Sequence, residues 1–229
     1  MREYEQTMAD LPEQKSPTAA RILAAADDLL QRRGSRAVTV AEVAQKAHVG
    51  KGTVYLYWTS KADLLLGLIG RDFLELAGQF ISDLQSDPDL ARPSRLFPDL
   101  MQRAAHRPFV RAMLRDDDDL LGVLTDDPRS EALVDALGPE ALMDTLLPSW
   151  RSNALARTDW NVHEQSLAAH SLYRGFLLLG TDAPDVLARS VTALLGPERP
   201  TRSQMRQVAA DGIAFLERGR SVVLEMLAK

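Results

Sequence analysis

Residues 48–60, with the sequence HVGKGTVYLYWTS, carry side chains whose types and spacing could bind a ligand. Lys51, Thr53, Tyr55 and Tyr57 supply an ammonium group and three hydroxyls, and the stretch contains no acidic residue. A surface that meets phosphate groups must lack carboxylates, because the phosphates would repel them. The stretch therefore predicts a surface suited to a phosphate backbone.

Two short helices and the turn between them are predicted to position these side chains. Thr39 and Glu42 have the spacing of a capping box, in which each side chain bonds a backbone amide at the helix start. Apolar residues then recur at the three- and four-residue intervals of one helical face. Residues 48–50 are predicted to break this helix, because Gly50 is able to take backbone angles that are strained for other residues.

The second helix is predicted at 51–57, where Val54 and Trp58 are spaced to point inward. This leaves a set of polar residues and one glycine on its open side: Lys51, Gly52, Thr53, Tyr55 and Tyr57. Two short helices and a turn of about three residues form a helix-turn-helix, whose second helix fits the major groove of DNA. The same shape also occurs in helical cores, where it serves only for packing.

The run VTVAEVAQKAHVGKGTVYLYWTSKADLL resembles the DNA-binding signature of the TetR family of bacterial transcriptional regulators. The resemblance extends from Ile22 to about Ile69 and includes the preceding helix, ILAAADDLLQRRG. One departure is Gly50, where the family often has a serine that caps the recognition helix and touches phosphate. Glycine can occupy a helix N-cap at little cost.

The resemblance implies which residues bind DNA. Bases or flanking backbone would be met by Lys51, Gly52, Thr53 and Tyr55, and Gly50, at the N-cap of the recognition helix, belongs to the same DNA-binding set. Phosphates would be contacted by Thr39, Tyr57 and Lys61. It also implies a homodimer that binds double-stranded DNA at an inverted-repeat operator. A small-molecule effector, unknown from the sequence, would release such a repressor.

Charge is distributed unevenly along the chain. The net charge of the 229 residues is −5, yet residues 16–71 hold eight basic and four acidic residues, while residues 1–15 carry a net charge of −2. The remainder therefore has a net charge of −7. A basic module joined to an acidic body is typical of a DNA-binding protein with a second task.

The composition also indicates the compartment. The sequence has no cysteine, which excludes a disulfide framework and thiolate metal sites and favours a reducing cytoplasm. The polar start MREYEQTMAD does not resemble a secretory signal, and no run approaches the roughly 20 apolar residues of a membrane span. We expect a cytoplasmic protein without a membrane segment.

Helical periodicity over most of the chain predicts an all-α fold in three parts. A flexible arm is expected at 1–15, a three-helix DNA-binding domain at 16–60, and a larger helical effector-binding and dimerisation domain at 61–229. The first helix is predicted to start after Ser16 and to close at Gly34. A long helix from Lys61 to about Gln85 would be shared by both domains and could couple them.

Further helices are predicted in the acidic body. One runs from about Ser94 to Arg115, one over Val162–Leu179, one from Pro184 to near Gly196, and one from about Ser203 to Leu227. The proline-containing pairs at 127–128 and 138–139, together with Pro148, indicate short or kinked helices between them. Small residues such as Ser171 and Gly175 allow close helix pairing across a dimer, although a buried helix within one chain would show the same pattern.

An effector site would be concave and mostly apolar. Ten residues of the body are candidates for lining it: Phe97, Met101, His106, Phe109, Met113, Met143, Leu147, Trp150, Tyr173 and Phe176. Ordinary core packing is the alternative for each of them.

The sequence offers no catalytic or cofactor-binding pattern. It contains no glycine-rich phosphate loop, no HExxH pair and no nucleophile elbow. His163 and His170 lie two helical turns apart, too far to chelate one ion, and the run Asp116–Asp119 favours a helix N-terminus over a metal site. We expect no enzyme activity, cofactor or metal. The alternative function is a helical small-molecule-binding protein or enzyme whose helix-turn-helix is only structural.

Overall fold

The fold of the computed structural model is all-α, as the sequence predicts. The structure describes residues 11–105, 107, 127–180 and 183–227. Within these ranges every regular element is a helix, and no helix there is long and apolar enough to span a bilayer.

The N-terminal helices are α1 (Pro12–Lys15), α2 (Pro17–Ala37), α3 (Val40–Lys46), α4 (Lys51–Tyr55) and α5 (Lys61–Ser86). After a 3-10 helix at Pro88–Ala91 come α6 (Pro93–Ala105), α7 (Pro128–Leu137), α8 (Pro139–Ser152), α9 (Val162–Leu179), α10 (Pro184–Leu195) and α11 (Arg202–Leu227). Several of these helices begin with proline, whose missing amide and fixed φ suit the first helical position.

The described residues fall into two compact units. The first contains 11–74, 127–133 and 221–227, and the second contains 75–105, 107, 134–180 and 183–220. The predicted domain boundary at residue 60 stays a prediction. The spatial grouping differs from it, because residues 61–74 belong to the same unit as the helix-turn-helix.

Helix α2 starts where the sequence predicts but ends later. The Ser16 hydroxyl accepts a hydrogen bond from the Ala19 amide at 3.3 Å, and Pro17 occupies the first position. The predicted end at Gly34 is wrong, since the helix continues to Ala37 and stops where Val38 becomes extended, with φ −102° and ψ 132°. Because Val38 is extended and directly precedes Thr39, the N-cap of α3, helix α2 ends without a left-handed glycine.

Residues 11–15 are folded against the first unit. Leu11 is only 4% exposed, and α1 packs on α2. The Glu13 carboxylate accepts hydrogen bonds from the Arg71 guanidinium. The sequence predicted a mobile arm because these partners are remote along the chain and leave no local pattern. Residues 1–10 lie outside the described part, so the predicted arm there stays a prediction.

Apolar faces of α2, α3 and α4 form the core around the helix-turn-helix. Ile22 and Ala26 of α2 have no exposed surface, and Leu30 is 2% exposed. Val43 and Val54 are each 1% exposed. Helix α3 packs against both α2 and α4. This three-helix arrangement is the one that the hydrophobic periodicity predicts.

The second unit has its own core. Helix α10 packs against α6 and α9, and α8 packs against α9. Trp150 of α8 and Leu187 of α10 have no exposed surface. Buried Gln165 accepts a hydrogen bond from Arg151 at 2.7 Å and donates one to the Arg157 carbonyl at 3.2 Å, so its polar atoms are satisfied.

Proline positions explain most helix starts after α5. Helix α7 starts at Pro128 and α8 at Pro139, as the pairs at 127–128 and 138–139 predict. Pro148 lies inside α8, which continues to Ser152. Of the helix predicted from Ser94 to Arg115, the described part is α6.

Candidate nucleic-acid interface

Helix α3 is held by the capping box that the sequence predicts. The Thr39 amide donates to a Glu42 carboxylate oxygen at 2.9 Å, and the Glu42 amide donates to the Thr39 hydroxyl at 3.3 Å. Arg33 adds an ion pair with Glu42 at 2.9 Å. The bond from the Thr39 amide, followed by that from Arg33, lowers the pKa of Glu42. Thr39 is exposed but already bonded, and its predicted phosphate contact stays a prediction.

The turn before α4 differs from the prediction at one residue. His48 takes the left-handed conformation, with φ 55°. Gly50 is extended, with φ −72° and ψ 149°, and stands at the N-cap of α4. Histidine tolerates this region better than β-branched residues do. The conformational freedom of Gly50 is therefore not used in this turn, whereas its place at the N-cap is confirmed.

Helix α4 divides into a buried and an exposed side. Val54 is 1% exposed and Trp58, just beyond the helix, is 5% exposed, as their spacing predicts. Lys51 and Gly52 are exposed, and Thr53 is half-buried. A Cβ placed on Gly52 would have no heavy atom within 4 Å, so this part of the surface is open to close approach.

Two tyrosines lie on or next to α4. Tyr55 is 42% exposed, and the Lys51 ammonium lies 5.7 Å from the centre of its ring. Tyr57 is half-buried, and its hydroxyl lies 2.8 Å from that of Ser16. The Tyr57 ring also packs beside Trp58 with 5.8 Å between ring centroids. Tyr55 is thus available to a partner, while Tyr57 is tied to the start of α2.

Helix α5 begins directly after this region. The Asp63 amide donates to the Ser60 hydroxyl at 3.0 Å, which confirms the predicted cap. Lys61 is half-buried in the first turn, and burial lowers the pKa of its ammonium while nearby Glu42 acts in the opposite direction. Its predicted contact with phosphate stays a prediction.

Several cations of the basic module are paired with acids on the same module. Asp28 binds Arg32 at 3.0 Å and Lys46 at 2.5 Å. The bonds from Lys46 and Arg32 lower the pKa of Asp28. Exposed pairs of this kind contribute roughly 0–1 kcal/mol and are screened by salt. Lys51 lies apart from this pairing, on the acid-free stretch 48–60.

Two features near the motif were missed by sequence reasoning. Leu56, at the C-cap of α4, is 82% exposed, an unusual position for a large apolar side chain. Arg129 of α7 donates to Asp63 at 2.6 Å, although the two residues lie 66 positions apart. Leucine is an apolar residue type that is expected to be buried, so residue type did not indicate the exposure of Leu56. Arg129 and Asp63 lie too far apart along the chain for their contact to leave a local sequence pattern.

Three of the predicted effector-site residues come together in the second unit. The Phe97 ring centroid lies 6.0 Å from that of Trp150 and 5.5 Å, edge-on, from that of Tyr173. The Trp150 indole donates to the Ala91 carbonyl at 3.0 Å. Burial raises the pKa of the Tyr173 phenol, and the charge of Asp99 raises it further. We call Phe97, Trp150 and Tyr173 the aromatic cluster.

The other effector-site candidates are less informative. Met101, Met143 and Leu147 are buried and Phe176 is half-buried, which core packing explains equally well. His106, Phe109 and Met113 lie outside the described residues, and so does the run Asp116–Asp119. A ligand-binding role for any of these residues stays a prediction.

A helical domain in which a capped helix, a tight turn and a short exposed helix share one core defines the helix-turn-helix class. The model of the family described as "Bacterial regulatory proteins, tetR family" matches residues 22–68, which contain this arrangement. Residues 22–68 therefore carry the N-terminal domain of the TetR family of bacterial regulatory proteins.

Curated relatives agree with this assignment. The chain is 36% identical over 74 residues to the fatty acid metabolism regulator protein of Bacillus subtilis, covering 32% of the chain and 36% of the relative. It is 33% identical over 79 residues to an HTH-type transcriptional regulator of Haemophilus influenzae, covering 34% of the chain and 40% of the relative. The matches thus span well under half of these relatives.

One solved structure resembles most of the chain. The fatty acid degradation regulator FadR from Bacillus halodurans aligns with a TM-score of 0.54 over 81% of this chain and 98% of that one. The sequence identity is 19%, so the likeness concerns the fold.

Proposed function

We propose that the chain is a cytoplasmic DNA-binding transcriptional regulator that uses α4 as its recognition helix. More specifically, we propose a homodimeric repressor that a small-molecule effector releases from an inverted-repeat operator. The exposure of the polar side of α4 carries the proposal. Lys51 and Gly52 are exposed and Tyr55 is 42% exposed, beside Val54 at 1%. If this side packed against another part of the protein, it would not be open to DNA.

Two kinds of DNA contact follow from this surface. We assign Lys51, Gly52, Thr53 and Tyr55 to base edges or the flanking backbone, because they are on α4, which would enter the major groove. Gly50 and Gly52 carry no side chain, so the DNA backbone can approach closely there. We assign Thr39, Tyr57 and Lys61, which flank α4, to phosphates. Phosphate contacts would set the register of the helix, and base contacts would specify the sequence.

The outer face of α9 supports the homodimer. Leu167 and Leu178 are 69% and 58% exposed, and Ser171 and Gly175 lie between them along the same face. A Cβ placed on Gly175 would meet no atom within 4 Å. Apolar and small residues on one helix face let a second helix approach closely and would remove the leucines from water. A second copy of the chain would bring its own recognition helix, so the operator should be a near-palindrome.

The aromatic cluster supports a mostly apolar effector. Phe97, Trp150 and Tyr173 are 4%, 0% and 7% exposed, and their rings supply apolar walls with one phenol as a polar group. Sites for small molecules combine such walls with a few polar groups. The names of two relatives refer to fatty acids, which is compatible with an apolar effector. The curated match spans only 36% of its relative, so the effector's identity is left to experiment.

Release from DNA requires that the effector and the operator prefer different conformations. An effector that binds better to a dimer shape unsuited to DNA lowers operator affinity, and the operator lowers effector affinity by the same factor. Helix α5 contributes residues to both compact units and is a physical route for this coupling.

The test is selection of bound fragments from random and genomic DNA at near-physiological salt, using the full chain. We expect one inverted-repeat sequence to be enriched by the parent and lost in a Lys51→Ala, Thr53→Ala double variant. A Gln85→Ala, Ser86→Ala double variant at the exposed end of α5 is the matched control and should enrich the same sequence.

Failure to enrich any sequence above the double variant would reject the DNA-binding proposal. The alternative, a helical small-molecule-binding protein or enzyme with a structural helix-turn-helix, would then be examined at the aromatic cluster. Enrichment that is unaffected by any small molecule would retain DNA binding and reject release by an effector.

A further inference from the structure

Arg129 joins helix α7 to the start of α5 within the first unit. Its Nη1 donates to Asp63 Oδ1 at 2.6 Å, while its Nε and Nη2 donate to the two carboxylate oxygens of Asp127 at 3.0 and 2.8 Å. The bidentate bond to Asp127 fixes the plane of the guanidinium, and its remaining nitrogen is aimed at Asp63. We call Asp63, Asp127 and Arg129 the Arg129 cluster.

Asp63 connects this cluster to the segment that follows the recognition helix. Its carboxylate accepts from the Thr59 hydroxyl, and its amide donates to the Ser60 hydroxyl at 3.0 Å. Burial raises the pKa of Asp63, but the bonds from Thr59, Arg129 and Ser60 outweigh burial and lower it. Asp63 is therefore ionised at neutral pH and bonded to Thr59, Ser60 and Arg129 together.

The position of these contacts matters for α4. Only residues 56–60 separate the last residue of α4 from α5, and Thr59 and Ser60 are two of them. Trp58, next to Thr59, is buried beside α5, where a Cβ on Gly67 would lie 3.1 Å from the indole nitrogen. Any shift of the first turn of α5 would therefore move the connection to α4.

We propose that Arg129 is a positioning residue for DNA binding. Asp127 holds the Arg129 side chain, and Arg129 in turn holds Asp63. Because Asp63 bonds Thr59 and Ser60, residues 59–61 are fixed, and α4 and Lys61 keep one position relative to each other for binding DNA. Arg129 itself touches no DNA. Recognition surfaces that are ordered before binding lose less conformational freedom on binding. This inference rests on the proposed function and adds to it a residue from a distant part of the chain that sets DNA affinity.

For the Asp63→Asn variant, charge attraction and positioning predict changes in DNA affinity of opposite sign. Asp63→Asn removes a negative charge next to the proposed DNA surface, so simple charge attraction would strengthen DNA binding. If Asp63 acts by holding residues 59–61 through Arg129, the same change must weaken binding to the operator. The sign of this effect separates positioning from charge.

The experiment measures the affinity of the full chain for the enriched duplex and for a random-sequence duplex of equal length. We expect Asp63→Asn and Arg129→Gln each to weaken binding to the enriched duplex about tenfold, and the double variant to be no weaker than either, because both remove one interaction. Arg129→Lys, which keeps the charge, should restore part of the affinity. Binding to the random duplex should change far less than tenfold and should not weaken in Asp63→Asn, because it depends on charge rather than on fit and this variant removes a negative charge.

A control variant and a second measurement distinguish a loss of positioning from general unfolding of the variants. Arg95→Gln breaks the 2.9 Å ion pair with Asp87 in the second unit and should leave both affinities unchanged. Hydrogen exchange of the free protein, followed by mass spectrometry, should quicken over residues 51–66 in Arg129→Gln and Asp63→Asn. Exchange over α10 should stay as in the parent.

The outcomes separate the inference from the proposed function. If the parent enriches no duplex, the proposed function fails, and the role of Arg129 in DNA binding fails with it. If the parent binds its operator and the Asp63→Asn and Arg129→Gln variants bind equally well or more tightly, only the inference is overturned. Additive losses in the double variant would overturn it as well, because they would show that the two residues act separately.

Discussion

The hydroxyl of Tyr57 lies 2.8 Å from the hydroxyl of Ser16, so the end of the helix-turn-helix is bonded to the start of α2. Ser16 also caps α2 by accepting from the Ala19 amide at 3.3 Å. The family resemblance assigns Tyr57 to phosphate, yet its hydroxyl already has a partner within the protein. Because a phenolic oxygen can donate one hydrogen bond and accept others, both contacts can coexist.

Replacing Tyr57 by phenylalanine should remove this bond without altering the ring packing. We expect Tyr57→Phe to lower the free energy of unfolding by about 1 kcal/mol, the usual net value of one hydrogen bond. Ser16→Ala should cost about 1 kcal/mol more, because the cap of α2 is lost as well. Urea denaturation of both single variants and the double variant measures this. Fully additive costs would show that the two hydroxyls do not interact.

Lys61→Ala tests the proposed phosphate contact at the start of α5. Removing one phosphate contact should weaken binding to all sequences and reduce the slope of log affinity against log salt by roughly 0.9. The measurement is a salt titration of duplex binding by fluorescence anisotropy. Arg218→Ala removes an equal charge from an exposed position of α11 and should leave the slope unchanged. An unchanged slope in Lys61→Ala would remove Lys61 from the phosphate contacts.

Leu56 tests whether an exposed apolar residue takes part in recognition. Since the side chain is 82% exposed, Leu56→Ala should change the free energy of unfolding by less than about 0.5 kcal/mol. If Leu56 meets a thymine methyl group in the major groove, the variant should lose preference for thymine at one operator position. Repeating the fragment selection with the variant reveals this. An identical operator preference would assign Leu56 no part in base recognition.

Local patterns of sequence predicted much of the fold. The capping box of Thr39 and Glu42, the inward Val54 and Trp58, and the bounds of α9 and α10 agree with the structure because each depends on neighbouring residues. The turn was predicted only in part. Glycine is the usual left-handed residue, but here His48 takes that conformation and leaves Gly50 extended at the N-cap.

Contacts between distant residues could not be predicted in the same way. The bonds of Glu13 to Arg71 and of Arg129 to Asp63 join residues 58 and 66 positions apart, and no periodicity or motif marks them. For the same reason, neither the folding of residues 11–15 nor the Arg129 cluster was predicted. Which residues bind DNA or an effector depends on partners outside the chain, so those assignments stay predictions.

The capping box should make stability depend on pH in the acidic range. Hydrogen bonds from Thr39 and the Arg33 guanidinium hold the pKa of Glu42 below its ordinary value of about 4.3. A depressed pKa means that the stabilisation is complete above the ordinary value and is lost as the pH falls through the lowered one. The contribution of Glu42 to the free energy of unfolding should therefore be complete above about pH 4.3 and decline as the pH falls below that value.

Glu42→Gln is the matched variant for this dependence. Glutamine can still bond the Thr39 amide but cannot titrate. We expect the variant to be slightly less stable at pH 7, because the ion pair with Arg33 is lost, and to lose less stability than the parent in acid. Urea denaturation at pH 7 and at several values below pH 4.5 measures both effects. Parallel pH curves for the two proteins would show that Glu42 does not contribute.

The exposed leucines of α9 provide the test of the proposed homodimer. Leu167 and Leu178 face away from the buried side of the helix, which carries Gln165 and Tyr173. Leu167→Glu with Leu178→Glu should leave each folded chain intact, since neither side chain is in the core, but would place two carboxylates in any interface on this face. Sedimentation analysis should then show monomers where the parent forms dimers. Ser82→Glu, at an exposed position of α5, is the control and should stay dimeric.

The monomeric variant should also lose operator affinity far more than affinity for random DNA, because one recognition helix cannot read two half-sites. A double variant that remains dimeric would place the interface elsewhere and leave the exposed leucines without this role.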